Sequence, residues 1–373
     1  MKIEHIDELL PHIEGRKDFI VARRDGYSVI DYGFMDRDTF DHPARVQCRG
    51  IKFGPDGRTL ARPFHKFFNL GEKAELQPEL IDMTRPYVIM EKLDGSMIHP
   101  AIVKDKLVFM TRMGCTDVAR LAESLLTGLL ERGCKDLLTS GLTPVFEFTA
   151  PNNRIIIQYE QAELRLLAIR ETIAGQYLSQ ADVEMWAGKL GVQAVRVYSP
   201  DWANARDFFN FVRTVEGKEG FVLRFDGGLW LKAKGDDYVL KHRSVSELAR
   251  EKNALALVLT DGVDDLLPLL RAEERSALVE YAARVRHQSA LVAEKVSVIV
   301  ASGAALDQKE FAVGHLKDQP ENMRSLAFMV RRGTPAEVAV KELLLKNTSS
   351  QTRVDHVRDL IGATWSIRER ADI

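Results

Sequence analysis

The chain has 373 residues, more than one hydrophobic core usually serves, and its 45% hydrophobic and 28% charged residues exclude a disordered polymer, so two soluble globular domains are expected. A formal net charge of −2 argues against a non-specific polyanion-coating protein, while leaving local basic faces open. Cys48, Cys115 and Cys134, odd in number and without metal-ligand spacing, read as reduced thiols, and with no signal-peptide pattern or membrane-length apolar run the expectation is a cytoplasmic protein.

Residues 1 to about 85 alternate short strand-like runs, 19–22 and 27–32, with turn chemistry at Asp25-Gly26 and Pro55-Asp56-Gly57. Cys48-Arg49-Gly50-Ile51 opens another strand. Arg62-Pro63-Phe64-His65-Lys66-Phe67-Phe68-Asn69 then interleaves basic and aromatic residues. Taken singly, the rings fill core and the cations cover the rim; taken together, they are what a purine-phosphate pocket needs.

The apolar run 87–90 delivers Glu91-Lys92-Leu93-Asp94-Gly95-Ser96 into a turn. A lysine near pKa ~10.4 cannot attack until desolvation or neighbouring cations lower that value. Gly95 permits close backbone approach, and Asp94 can orient polar groups. Alone this pattern also fits a solvated hairpin.

Further on, 97–103 and 107–111 read as a hairpin, and 117–132 as one helix stopped by Gly133. In Pro144-Val145-Phe146-Glu147-Phe148, alternation sets Glu147 on the face opposite Phe146 and Phe148. Strands are expected over 154–158, 164–170 and 193–198, with a helix from a Ser179 cap to Leu190. The runs 219–225 and 229–234, joined by Asp226-Gly227-Gly228, form a second hairpin. Period two places Trp230, Lys232 and Lys234 on one face, and like charges so placed repel unless an anion sits among them. A triphosphate is the expected anion. From about residue 240 the period becomes helical, over 244–259, 264–287, 289–300, 321–331, 335–346 and 352–369.

In order, the chain presents Arg49-Gly50, Lys66, Lys92-Leu93-Asp94-Gly95, Phe146-Glu147, Glu219-Gly220 and Lys232-Ala233-Lys234. This series resembles the nucleotidyltransferase motifs of covalent ligases and mRNA capping enzymes, and within them the RNA ligase 1 group of T-even bacteriophages, the tRNA-repair ligases. The resemblance covers residues 1–240. It implies an α+β protein: a nucleotidyltransferase domain of antiparallel sheets with flanking helices over 1–240, then an all-α domain over 241–373 that selects the RNA. It further implies that Lys92 takes AMP from ATP, with Tyr32, Lys66 and Phe68 at the nucleotide, Arg49 near the phosphates, and Glu91 and Gly95 in the same pocket. Glu147 and Glu219 would serve the ribose and Mg2+ (or Mn2+), partly through water. Lys232 and Lys234 would hold phosphates and, with the metal, depress the Lys92 pKa. Asp264 and Asp265 match a family metal site, although a solvated helix start explains them equally well. The implied partner is RNA, as single-stranded ends or a nicked tRNA anticodon loop, with a polynucleotide kinase-phosphatase preparing the ends of a substrate for a monomeric enzyme.

One departure is Arg112-Met113-Gly114, where the phage enzymes have a Lys-Gly pair. A DNA ligase would show an arginine two residues after Gly95, where this chain has Met97, and both DNA ligases and capping enzymes would follow Lys234 with a β-barrel. A non-catalytic RNA-binding protein on the same scaffold is disfavoured by the retained Lys92, Glu147, Glu219, Lys232 and Lys234.

Overall fold

The computed structural model describes residues 1–367, which divide into two compact units, one from Met1 to Leu240 and the other from Lys241 onward. The first unit is α+β and carries three sheets. One antiparallel sheet runs Phe19–Arg24, Tyr27–Tyr32, Ile51–Phe53, Thr59–Ala61. A second has the order Gln193–Ala194, Glu163–Glu171, Leu142–Thr149, Ser96–Val103, Lys106–Met110, and only its Gln193–Ala194 edge is parallel. The third has the order Val197–Tyr198, Tyr87–Lys92, Gly220–Phe225, Trp230–Lys234, Phe68–Asn69, with the last pair parallel.

The second and third sheets each bury both faces. Met90, Val222 and Trp230 from one share a core with Met97, Val145 and Ala168 from the other. On the far side of the second sheet, Phe146, Phe148 and Leu166 pack on helices Asp117–Glu123, Gly128–Thr139 and Gln180–Leu190. On the far side of the third, Ile89, Phe221 and Leu223 meet helix Ala205–Arg213. Each such side chain contributes roughly 1.5–3 kcal/mol by leaving water. The two hairpins therefore stand as rigid walls, and the alternation that buries their apolar residues also decides where their charges point.

Several segments depart from expectation for identifiable reasons. The 117–132 helix is two helices, because Thr127 accepts from the Leu130 N–H and starts a new one; Gly133 lies inside it, where a Cβ would meet Leu190 at 2.5 Å. Residues 154–158 form no strand, since side-chain oxygen takes the N–H groups of Ile156 and Ile157. The 193–198 run splits between two sheets. Helix Ala205–Arg213, capped by Asn204, lies in a stretch without a clear sequence signal.

From Lys241 onward the described residues hold helices and no strand. Helix Asp236–Glu247 gives way to Glu251–Leu259 inside the expected 244–259 run. Pro268 ends the short helix Val263–Leu266, because its ring and missing N–H cannot continue it. Ala272–Ser302 then runs as a single 31-residue helix, with no Gly or Pro to break it near 288. Glu321–Arg331 and Ala336–Asn347 fall where the periodicity places them. The 352–369 run becomes Gln351–His356 and Arg358–Ile361, stopped by Gly362 at φ +66°, and its last two residues lie outside the described ones. The three cysteines are free thiols, and among the described residues no helix is long and apolar enough to cross a membrane.

Candidate active site

Sheet register builds the centre of the site. Gly220 stands opposite Lys92 on one neighbouring strand and opposite Lys234 on the other. Glu219, one residue earlier, therefore emerges between two lysines: its Oε2 is 2.8 Å from Lys92 Nζ and its Oε1 2.9 Å from Lys234 Nζ. Only glycine serves at 220. Its φ is +143°, and a Cβ would fall 2.0 Å from the Ala233 carbonyl oxygen.

The turn after Lys92 is equally fixed. Asp94, buried, accepts from the Ile156 and Ile157 N–H groups at 2.7 and 2.6 Å and from the Tyr238 hydroxyl at 2.6 Å, while its own N–H donates to the Tyr159 hydroxyl at 3.0 Å. The Gly95 N–H donates to Glu147 Oε1 at 3.1 Å, and a Cβ at Gly95 would lie 2.3 Å from the Phe148 carbonyl oxygen. Glu147 arrives from the second sheet, opposite Met97.

Cations and rings line the rest. Lys66 Nζ lies 5.2, 5.4 and 5.4 Å from the ring centres of Tyr32, Phe40 and Phe68. Lys232 Nζ lies 5.2 Å from the Phe67 ring. The Arg112 guanidinium pairs with Asp31 at 3.0 Å and lies 4.3 Å from the centre of the Tyr32 ring. Arg49 donates to Met97 Sδ at 3.3 Å.

Charge balance differs from residue to residue. Burial pushes Glu147 up to about 8, with Lys92 opposing the rise, so around neutrality it carries a proton. Glu219 is equally buried yet stays below the usual carboxylate range, held there by Lys92 and Lys234. Burial, then Lys66, Lys92, Arg49 and Lys234 in turn, drives Lys232 well below the usual lysine value. Burial alone would raise the Tyr32 phenol, but Arg112, Arg49 and Lys66 hold it below its ordinary value. Lys92 runs against the expectation of a depressed pKa. Burial does work to lower it, but Glu219, Glu147 and Asp94 outweigh burial and raise it. The nearby carboxylates, rather than Lys232 and Lys234, set its resting protonation.

The structure thus gathers Lys92, Glu147, Glu219, Lys232 and Lys234, with Tyr32, Arg49, Lys66 and Phe68 around them and Gly95 beneath. It does not bring in the side chain of Glu91, which points to the other face of its strand and pairs with Lys218 at 3.0 Å. Asp264 and Asp265 are exposed on the first turn of Val263–Leu266, in the helical unit. Tyr159, Tyr238 and Asp31 lie outside every motif quoted from the sequence. Tyr238 follows Lys234 by four residues across a strand-to-helix change, a spacing that announces nothing in sequence.

The carboxyl oxygens of Glu147 and Glu219 are hard donors of the kind a divalent cation takes together with water, Glu147 giving up its proton on binding. Among the described residues no group of three His, Cys, Asp or Glu forms an all-protein cage.

The RNA ligase family model matches residues 47–246. The chain belongs to that family. A candidate RNA ligase of Thermovibrio ammonificans is 31% identical over 308 residues, 78% of this chain and 80% of its own length. RNA ligase 1 of bacteriophage TS2126 is 29% identical over 235 residues, 57% of this chain and 56% of the phage protein, so the chain spans about half of that relative. Among solved structures, an archaeal ATP-dependent RNA ligase in its form 2 aligns with a TM-score of 0.48 at 16% identity, covering 76% of this chain and 79% of that one.

Proposed function

We propose that the chain is an ATP-dependent RNA ligase that joins 5′-phosphate and 3′-hydroxyl ends through a lysyl-AMP intermediate. The observation that carries this reading is the placement of Lys92 and Lys234 on one carboxylate, Glu219, with Lys232 and Lys66 in electrostatic reach. Lys92 Nζ, once deprotonated, attacks the α-phosphorus of ATP; the P–N bond forms, the α–β phosphoanhydride breaks and pyrophosphate leaves. The RNA 5′-phosphate then displaces Lys92 from AMP, giving an RNA-adenylate. Finally the 3′-hydroxyl attacks the 5′-phosphorus, loses its proton and expels AMP.

Lys232 and Lys234 offset charge building on the phosphates, and Arg49 supports them. Tyr32, Lys66 and Phe68 hold the nucleotide. Asp94 and Gly95 keep the lysine turn against Glu147. Glu147 and Glu219 would hold Mg2+, which would supply positive charge beside the phosphates, and their carboxylate charge would then favour the ammonium form of Lys92 less. The joined end must carry a 5′-phosphate, so a kinase acting upstream fits the chemistry. The helical unit is assigned to RNA choice, with tRNA repair as the role.

Intact-mass measurement after incubation with ATP and Mg2+ tests the nucleophile. The unmodified chain gains one AMP and folded Lys92→Ala gains none; an adduct on Lys92→Ala sinks the assignment. GTP in place of ATP should give no adduct. Joining rates on a nicked anticodon loop, linear single strands and nicked duplexes decide the substrate, and preference for the duplex would remove the tRNA-repair role.

A further inference from the structure

One of the largest fully buried side chains in the protein belongs to a cation, Lys52. It lies on the inner strand Ile51–Phe53, opposite Val29 and Ala61. All three of its N–H donors go to main-chain oxygens: Gly50 at 2.7 Å, Thr111 at 2.8 Å and Arg112 at 2.7 Å. That is the whole donor capacity of an ammonium group. Burial draws its pKa down to about 7, with Asp31 opposing the fall and Arg112 adding to it. Even the neutral amine keeps two N–H donors for this cage.

The three carbonyls come from segments about sixty residues apart in sequence, and each segment carries a guanidinium of the site. Gly50 adjoins Arg49, and Thr111 adjoins Arg112. The two backbones touch: Gly50 has φ +74°, and a Cβ there would lie 2.8 Å from the Arg112 carbonyl oxygen and 2.9 Å from its Cα. Beyond this joint Arg112 reaches Asp31 and Tyr32, while Arg49 is near enough to feel repulsion from Arg112 and attraction to Tyr32. Asp31 and the Tyr32 carbonyl hold the Arg112 guanidinium, but among the described residues Arg49 has no ion pair, and the two guanidiniums repel. Something behind them must fix the backbone.

We infer that Lys52 is a positioning residue, which gathers the Gly50, Thr111 and Arg112 carbonyls on one nitrogen and so sets Arg49 and Arg112 against Tyr32. Its catalytic consequence rests on the ligase reading above; its geometry does not. Lys52 touches no substrate. It acts through the two arginines on the phosphate side of the nucleotide pocket.

Lys52→Met in the full chain keeps side-chain length and removes every donor. The local reporter is the Tyr32 phenol, read as phenolate absorbance against a Tyr32→Phe reference, because Arg112, Arg49 and Lys66 hold it low. In a protein with an unchanged circular dichroism spectrum, the Tyr32 titration should move upward. Half-saturation by ATP should need more nucleotide, and joining should slow by about 10²-fold, the scale of a small misplacement at a reacting centre. Lys52→Gln, which restores two N–H donors, should recover part of each effect. An unmoved Tyr32 titration in folded Lys52→Met overturns the inference. So does failure of both variants to fold, which would make Lys52 a determinant of the whole domain. A displaced Tyr32 titration alongside an unmodified chain that joins no RNA at any ATP concentration would uphold the positioning role and refute the ligase reading.

Discussion

Replacing Glu147 by Gln should stabilise the protein at alkaline pH while impairing its chemistry. The carboxyl is displaced by burial from an ordinary value of about 4.5 to about 8, and at 1.36 kcal/mol per pH unit this is worth up to ~5 kcal/mol. The sign follows from proton counting. Between those two values the folded chain binds a proton that the unfolded chain has lost, so stability is fully present below about 4.5 and is lost as pH rises through about 8. Gln keeps the shape and an oxygen for the Gly95 N–H but has no proton to lose. Urea unfolding at pH 5, 7 and 9 should show the unmodified protein weakening relative to Glu147→Gln as pH rises, with the variant ahead at pH 9 by several kcal/mol. Self-adenylation of the variant should fall steeply, since a carboxylate proposed for the metal is gone. Parallel stability-against-pH curves for the two proteins would refute the reasoning, because they would show that Glu147 titrates as an ordinary carboxyl.

Two other outcomes test the same architecture. Gly220→Ala should cost about 2–4 kcal/mol, combining a strained φ with a Cβ driven into the Ala233 carbonyl, and a denaturation midpoint equal to that of the unmodified protein would contradict the register described here. Binding of a non-hydrolysable ATP analogue without divalent cation should take up a proton at a pH where Lys232 is part-way through its titration, because phosphate charge favours the ammonium form and opposes the lowering by burial and neighbouring cations. Calorimetry in buffers of different ionisation enthalpy measures this directly, and proton release would place the phosphates elsewhere.

The hairpin ending at Lys234 was legible because alternation and the Asp226-Gly227-Gly228 turn are local signals, and so the shared face of Trp230, Lys232 and Lys234 could be read in advance. Glu147 was legible for the same reason, lying between two phenylalanines that had to face a core. Asp94 could be singled out, but not its partners: the N–H groups of Ile156 and Ile157 and the hydroxyl of Tyr238 reach it from 62, 63 and 144 residues away. Lys52 was invisible, since a lysine inside an Ile-Lys-Phe strand reads as an outward-pointing residue until the fold supplies three carbonyls. Chain breaks within helical runs were missed where a Thr cap at 127 competed with periodicity. The break expected near 288 does not occur, because no residue there disfavours helix.

The repulsion between Lys232 and Lys234 raised the question of which anion lies near them, and the structure divides the answer. Lys234 already has its counter-charge in Glu219, which it shares with Lys92. Lys232 has no carboxylate within ion-pairing distance among the described contacts; it faces the Phe67 ring and feels four other cations. Lys66 likewise rests among the rings of Tyr32, Phe40 and Phe68. The site therefore has its carboxylates on the Lys92 side and is left shorter of negative charge on the side of Lys232, Lys66 and Arg49. On the proposed ligase reading, an incoming triphosphate would gain most there, where Lys66 and Lys232 have rings for neighbours, while Lys92 rests paired with Glu219.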